Sequence, residues 1–82
     1  MVTFESAKHA LLSKYTDSII ETAMELDGKY LFCIRPKDLD RNTILADPYF
    51  MVDDSGVHEY PVLKDMKEFK NFTKNIVYKR GD

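Results

Sequence analysis

One thiol, two imidazoles and fourteen carboxylates are what this chain of 82 residues could bring to a reaction. Cys33 and His58 form its one conventional nucleophile–base combination, because a thiolate activated by an imidazole is reactive. Both fall in segments that read as strands, so contact across a sheet is open to them. Against this, Cys33 sits between Phe32 and Ile34, where a cysteine usually behaves as a small buried hydrophobe. No third group stands at an informative spacing, and an enzyme is not expected.

The remaining chemistry-bearing clusters fare no better as reactive sites. Asp53-Asp54-Ser55-Gly56 has the look of a calcium loop, but the position that should carry the closing Glu is Lys64. It reads as a solvated turn. His9 and His58 with Asp47 or Glu59 have no metal-ligand spacing. Only three glycines are present, Gly28, Gly56 and Gly81, so no glycine-rich phosphate cradle exists. Neither a metal nor a cofactor is expected.

Charge is more informative. The chain is nearly balanced, 14 acids against 12 bases, which argues against direct nucleic-acid binding. The balance is uneven along the sequence. From Asp38 to Glu59 there are six acids and one base, and from Val62 to the end six bases and three acids. Such a bipolar surface can steer a basic partner to the acidic edge. Tyr49, Phe50 and Tyr60 lie beside the acids, and aromatics inside a polar rim are what interfaces use. The expected contact set is therefore Asp38, Asp40, Asp47, Asp53 and Asp54, with Tyr49 and Tyr60 as anchors. Lys64, Lys67, Lys70 and Lys74 form a second charged stripe, which reads first as a wet helix face.

The elements that must position these residues can be read from periodicity. Thr3 caps a helix in which Phe4, Ala7, Leu11 and Tyr15 recur at spacings of three or four. Thr16-Asp17-Ser18 stops it. Ile19 to Leu26 suits either a continued helix ending on Gly28 or a strand with Ile20, Thr22, Met24 and Leu26 on one face. Asp27-Gly28 favours the strand, because Asp-Gly between two strand-compatible runs signals a type I′ hairpin. Lys29 to Arg35 is the returning strand, closed by Pro36.

Pro36 to Ala46 reads as a surface loop that holds a short helical turn, pinned by Leu39, Ile44 and Leu45. Tyr49 to Val52 and Val57 to Tyr60 form a second hairpin around the acidic turn. A helix follows from about Val62 to Phe72, with Leu63, Met66, Phe69 and Phe72 on its apolar face. Residues 75–82 read as a frayed tail. The expected architecture is a single α+β domain over residues 1–82. In it, four antiparallel strands (two hairpins) carry an N-terminal and a C-terminal helix, both on one face. The longest apolar run, Tyr30 to Ile34, is far too short to span a membrane. Met1-Val2-Thr3-Phe4-Glu5 has no secretory character. One cysteine allows no intrachain disulfide and fits a reducing compartment, so the expected location is the cytoplasm.

Residues Ala46-Asp47-Pro48-Tyr49-Phe50-Met51-Val52-Asp53-Asp54-Ser55-Gly56-Val57-His58 resemble the signature hairpin of the immunity protein 35 family, small bacterial α+β proteins associated with polymorphic toxins. In that family a proline precedes an apolar strand, an acidic turn ending in Gly follows, and a second strand leads to a C-terminal helix. The N-terminal helix, the first strand pair and Tyr30-Leu31-Phe32 fit the same pattern, so the resemblance runs from about Phe4 to Phe72. Ala46-Asp47 stands where the family usually has Gly-Asn, and the chain has no Trp. The resemblance implies a binder that neutralises a cognate toxin and carries no catalytic residues. The alternative is an inhibitor, encoded by a phage or mobile element, whose carboxylates stand in for phosphates against a host nuclease or defence complex. A homodimer through an exposed strand edge is also open to so small a sheet.

Overall fold

Tyr30 to Ile34 is apolar on both sides of a strand, and the computed structural model places that strand in the middle of the sheet. The structure describes residues 2–36 and 49–80. Its elements are α1 (Phe4–Lys14), β1 (Ser18–Leu26), β2 (Lys29–Pro36), β3 (Tyr49–Asp53), β4 (Gly56–Glu59), α2 (Met66–Thr73) and β5 (Ile76–Lys79). The strands form one antiparallel sheet in the order β4-β3-β2-β1-β5. The expected loop from Pro36 to Ala46 lies outside the described residues, apart from the strand end at Pro36.

The α1 start is fixed by two reciprocal hydrogen bonds. The Ser6 N–H donates to Thr3 Oγ1 at 3.1 Å, and the Thr3 N–H donates to Ser6 Oγ at 2.9 Å. This box satisfies two donors that a helix end otherwise leaves orphaned. It also sets Phe4 against the sheet, where its ring lies 5.9 Å from that of Tyr30 and 6.0 Å from that of Phe32. The reversal at Asp27-Gly28 is a hairpin, with φ of +52° and +78° at its two central residues. Both signs are what a type I′ turn demands. The chain is not helical from Ile19 to Leu26.

The helices cover opposite faces of the sheet and not one, which makes three layers instead of two. Tyr30, Phe32, Ile34 and Val52 pack with Ala7 and Leu11 of α1. Leu31, Met24 and Tyr60 pack with Phe72 of α2, with Phe69, Tyr49 and Met51 around them. Alternation along β2 requires this division, since neighbouring side chains point to opposite faces.

Alternation along β1 is broken by an extra residue. Ile20 pairs with Ile34 and Thr22 with Cys33, so Glu21 is a bulge. The bulge brings Ile20 and Ala23 together on the α1 face and sends Met24 to the α2 face. The simple grouping of Ile20 with Met24 therefore fails.

Two further expectations are corrected. The second helix begins at Met66, because Pro61 to Lys64 forms turns and Asp65 precedes the helix. Leu63 consequently lies 83% exposed, and only Phe69 and Phe72 of the expected stripe reach the core. The stretch read as a frayed tail contains a fifth strand, β5, which pairs with β1. Its end is held by Glu21, whose Oε1 accepts from Arg35 Nε and from Arg80 Nη1, each at 2.6 Å. The bulge residue thus ties β5 to the central hairpin.

The two hairpin glycines should differ in tolerance. A Cβ on either meets nothing within 4 Å, so conformation alone sets the cost. Gly28 sits at φ +78°, a left-handed value that Ala reaches for about 1–2 kcal/mol. Gly56 sits at φ +118°, further from any L-residue basin, where up to about 3 kcal/mol is expected. In urea unfolding, Gly56→Ala should lower the midpoint more than Gly28→Ala; the reverse order would refute the assignment of these turns.

Candidate functional site

The β3–β4 hairpin tip gathers the described acids of the expected contact set. Asp53 ends β3 and Gly56 opens β4, with Asp54 and Ser55 between them. The Asp53 carboxylate organises the turn. Its Oδ1 accepts from the Ser55 N–H at 2.9 Å and from the Ser55 hydroxyl at 2.6 Å. His58 Nε2 stands 2.9 Å from Ser55 Oγ and 3.3 Å from Asp53 Oδ1. The two Ser55 hydrogen bonds hold the Asp53 carboxyl below its ordinary value, and the His58 side chain adds to this. The result is an ionised carboxylate fixed at the end of a short hairpin, with exposed Asp54 beside it and exposed Glu59 at the far end of β4, opposite Phe50.

Ser55, His58 and Asp53 are the residue types of a hydrolytic triad, but their geometry is not one. In a triad the imidazole takes the serine proton on one nitrogen while the carboxylate braces the other. Here serine and carboxylate meet the same Nε2, and the serine hydroxyl is already spent on Asp53. The cluster locks the turn. Sequence reading took Asp53 to Gly56 as a turn and missed that His58 closes it. The available signal was spacing: in a two-residue hairpin, Asp53 and His58 come within reach across the strands.

Cys33 and His58 are kept apart. β3 lies between their strands, two strand spacings or about 10 Å of backbone separation. Cys33 pairs with Tyr49 instead. Burial pushes its thiol up, and a hydrogen bond from Tyr49 only partly opposes that. A thiol held protonated is a weak nucleophile.

The two tyrosines of the contact set are committed inward. Tyr60 is 3% exposed, donates its hydroxyl to Glu68 Oε1 at 3.0 Å and meets the Phe72 ring edge-on at 5.8 Å. Burial first, then Glu68, push its hydroxyl well above the ordinary tyrosine value. Glu68 also pairs with Lys29 at 3.2 Å, so Glu68 ties α2 both to Tyr60 and to the hairpin of β1 and β2. Tyr49 is half-buried, edge-on to Phe69 at 5.0 Å. Neither projects from the tip beside Asp53 and Asp54. Asp38, Asp40 and Asp47 lie outside the described residues, as do Leu39, Ile44 and Leu45.

Among the described residues no group of three His, Cys, Asp or Glu could hold a metal ion, and no helix is long and apolar enough to cross a membrane. Comparison with known proteins returns no matching family, no matching curated protein and no matching solved structure.

Two measurements check these assignments. Alkylation of Cys33 at neutral pH should be slow in the folded protein and reach the rate of a free thiol in denaturant; equal rates would mean an accessible, activated thiol. Because folding depresses the Asp53 pKa, its contribution to stability is complete above the unfolded value of about 3.8 and is lost as pH falls below it. Asp53→Asn should flatten that acid limb of urea midpoint against pH, and an unchanged limb would overturn the turn-locking role.

Proposed function

We propose that this chain is a non-enzymatic protein-binding domain that neutralises a partner by presenting the acidic β3–β4 tip to a basic cleft. One observation carries the reading. The Asp53 carboxylate is ionised, immobilised by Ser55 and His58, and placed at the outer end of a hairpin beside Asp54. A fixed charge costs less to order on binding than a flexible one, so its Coulombic attraction survives as affinity. It also steers encounter with a positive surface.

The resemblance of residues 46–58 to the immunity protein 35 hairpin supports a toxin as that partner, with the tip occluding its active site. The same acidic chemistry would serve the second reading, in which the carboxylates replace substrate phosphates in a nuclease. A cytoplasmic site of action belongs to both. Asp38, Asp40 and Asp47 extend the acidic set in sequence, and Tyr49 and Tyr60 contribute by holding the hairpin on α2.

The test is capture of the protein encoded beside this one. Binding should weaken as salt rises, and Asp53→Lys with Asp54→Lys should weaken it at least tenfold, about 1.4 kcal/mol. Capture that is indifferent to both salt and charge reversal would remove this mechanism.

A further inference from the structure

The opposite edge of the sheet has the opposite character. Among the described residues β5 is an edge strand with β1 as its one neighbour, and all four of its residues are exposed. Three of them are large and apolar: Ile76, Val77 and Tyr78 lie 51%, 46% and 40% exposed. Beside it, between α1 and β1, is a groove of about 380 Å³. Phe4, Leu12, Ile20 and Tyr78 give it an apolar floor, and Lys8 and Arg80 give it positive walls. Tyr78 belongs to both features, and its ring lies 6.2 Å from that of Phe4.

We propose that β5 is a docking edge for an extended segment of a partner protein, apolar at its centre and acidic at both ends. Such a segment would add as a sixth strand. Main-chain hydrogen bonds to the outer edge of β5 would supply the attachment, and alternate side chains would enter the groove beside Tyr78.

Charge selects the occupant. Lys74 precedes the strand, Lys79 ends it and Arg80 follows, while Lys8 overlooks the groove. Glu21, beside the strand, is already engaged by Arg35 and Arg80. An antiparallel second copy of β5 centred on Val77 would set Lys74 against Arg80 at both ends, and like charges placed opposite each other repel. Edge lysines are a common guard against unwanted strand pairing. Here they turn away neutral and basic strands and leave acidic-ended ones admissible.

This edge is separate from the acidic tip, so the two can fail independently. The probe is a capped peptide, Glu-Glu-Val-Ile-Val-Glu-Glu, titrated into the isotopically labelled protein. Amide shifts are expected at Ile76 to Lys79 and around Phe4 and Lys8, with binding weakened at least tenfold by Lys79→Glu combined with Lys8→Glu. The same peptide with alternate backbone nitrogens methylated should not bind, because its strand edge lacks donors; this control leaves the protein unaltered. A Lys-ended counterpart should not bind either. The proposal is overturned if the Glu-ended peptide gives no shifts at millimolar concentration or if its shifts cluster at 53–59. Equal binding by the methylated or Lys-ended peptide also overturns it. So does sedimentation of the free protein that rises with concentration and is abolished by Val77→Glu, which would assign the edge to a second copy.

Discussion

Five consecutive residues without a polar face, Tyr30 to Ile34, constrain everything else in this molecule. A strand of that composition must be covered on both sides, since each exposed apolar side chain forfeits about 1.5–3 kcal/mol of burial. Among the described residues the covers come from the two helices. α1 supplies Ala7 and Leu11 to one face and α2 supplies Phe72 to the other. The chain leaves the sheet at β4, passes through α2 over the second face and returns at β5 beyond β1. A helix that covers one face therefore also delivers the final strand to the far edge.

How much of this was legible depends on which physical signal each element carries. The Asp27-Gly28 reversal and the Thr3 cap are local: one turn type and one hydrogen-bond pattern decide them, and both were readable. The second cover was also written in the sequence, since a continuous apolar run signals a strand buried on both faces. Reading Tyr30 to Ile34 only for strand propensity lost that information. The Glu21 bulge was not legible, because nothing in Ile19-Ile20-Glu21-Thr22 distinguishes an extra residue from regular alternation. Its reason is tertiary: Arg35 reaches Glu21 from β2 and Arg80 from just beyond β5. β5 was hidden for a related reason. Ile76 to Lys79 has four exposed residues, so no alternation between core and solvent betrays it.

The site shows the same division. That Asp53 to Gly56 is a turn follows from residue types, but that its carboxylate is fixed follows from the two Ser55 hydrogen bonds together with His58 returning across the hairpin. Tyr49 and Tyr60 illustrate the opposite hazard. A tyrosine near acids in sequence can serve an interface or a core, and its hydroxyl partner decides which. Glu68, eight residues beyond Tyr60 and on α2, is that partner. No local pattern around Tyr60 announces it, because the contact exists only once α2 has folded back over the sheet.

The sheet ends with edges of unlike charge, and this has a consequence for association. Asp53, Asp54 and Glu59 mark the β4 side, while Lys74, Lys79 and Arg80 mark the β5 side. Unlike edges invite a head-to-tail contact, which does not close on itself and so grows into fibres unless something interrupts it. β4 and β5 are both antiparallel to strands that run the same way, so simple translation would pair them in parallel, the less stable arrangement per residue. Pro61 adds a second interruption, since it follows β4 closely and has no N–H to extend a ladder. The strand directions and Pro61 thus oppose a pairing of β4 with β5 between copies, even though the charges of the two edges favour it.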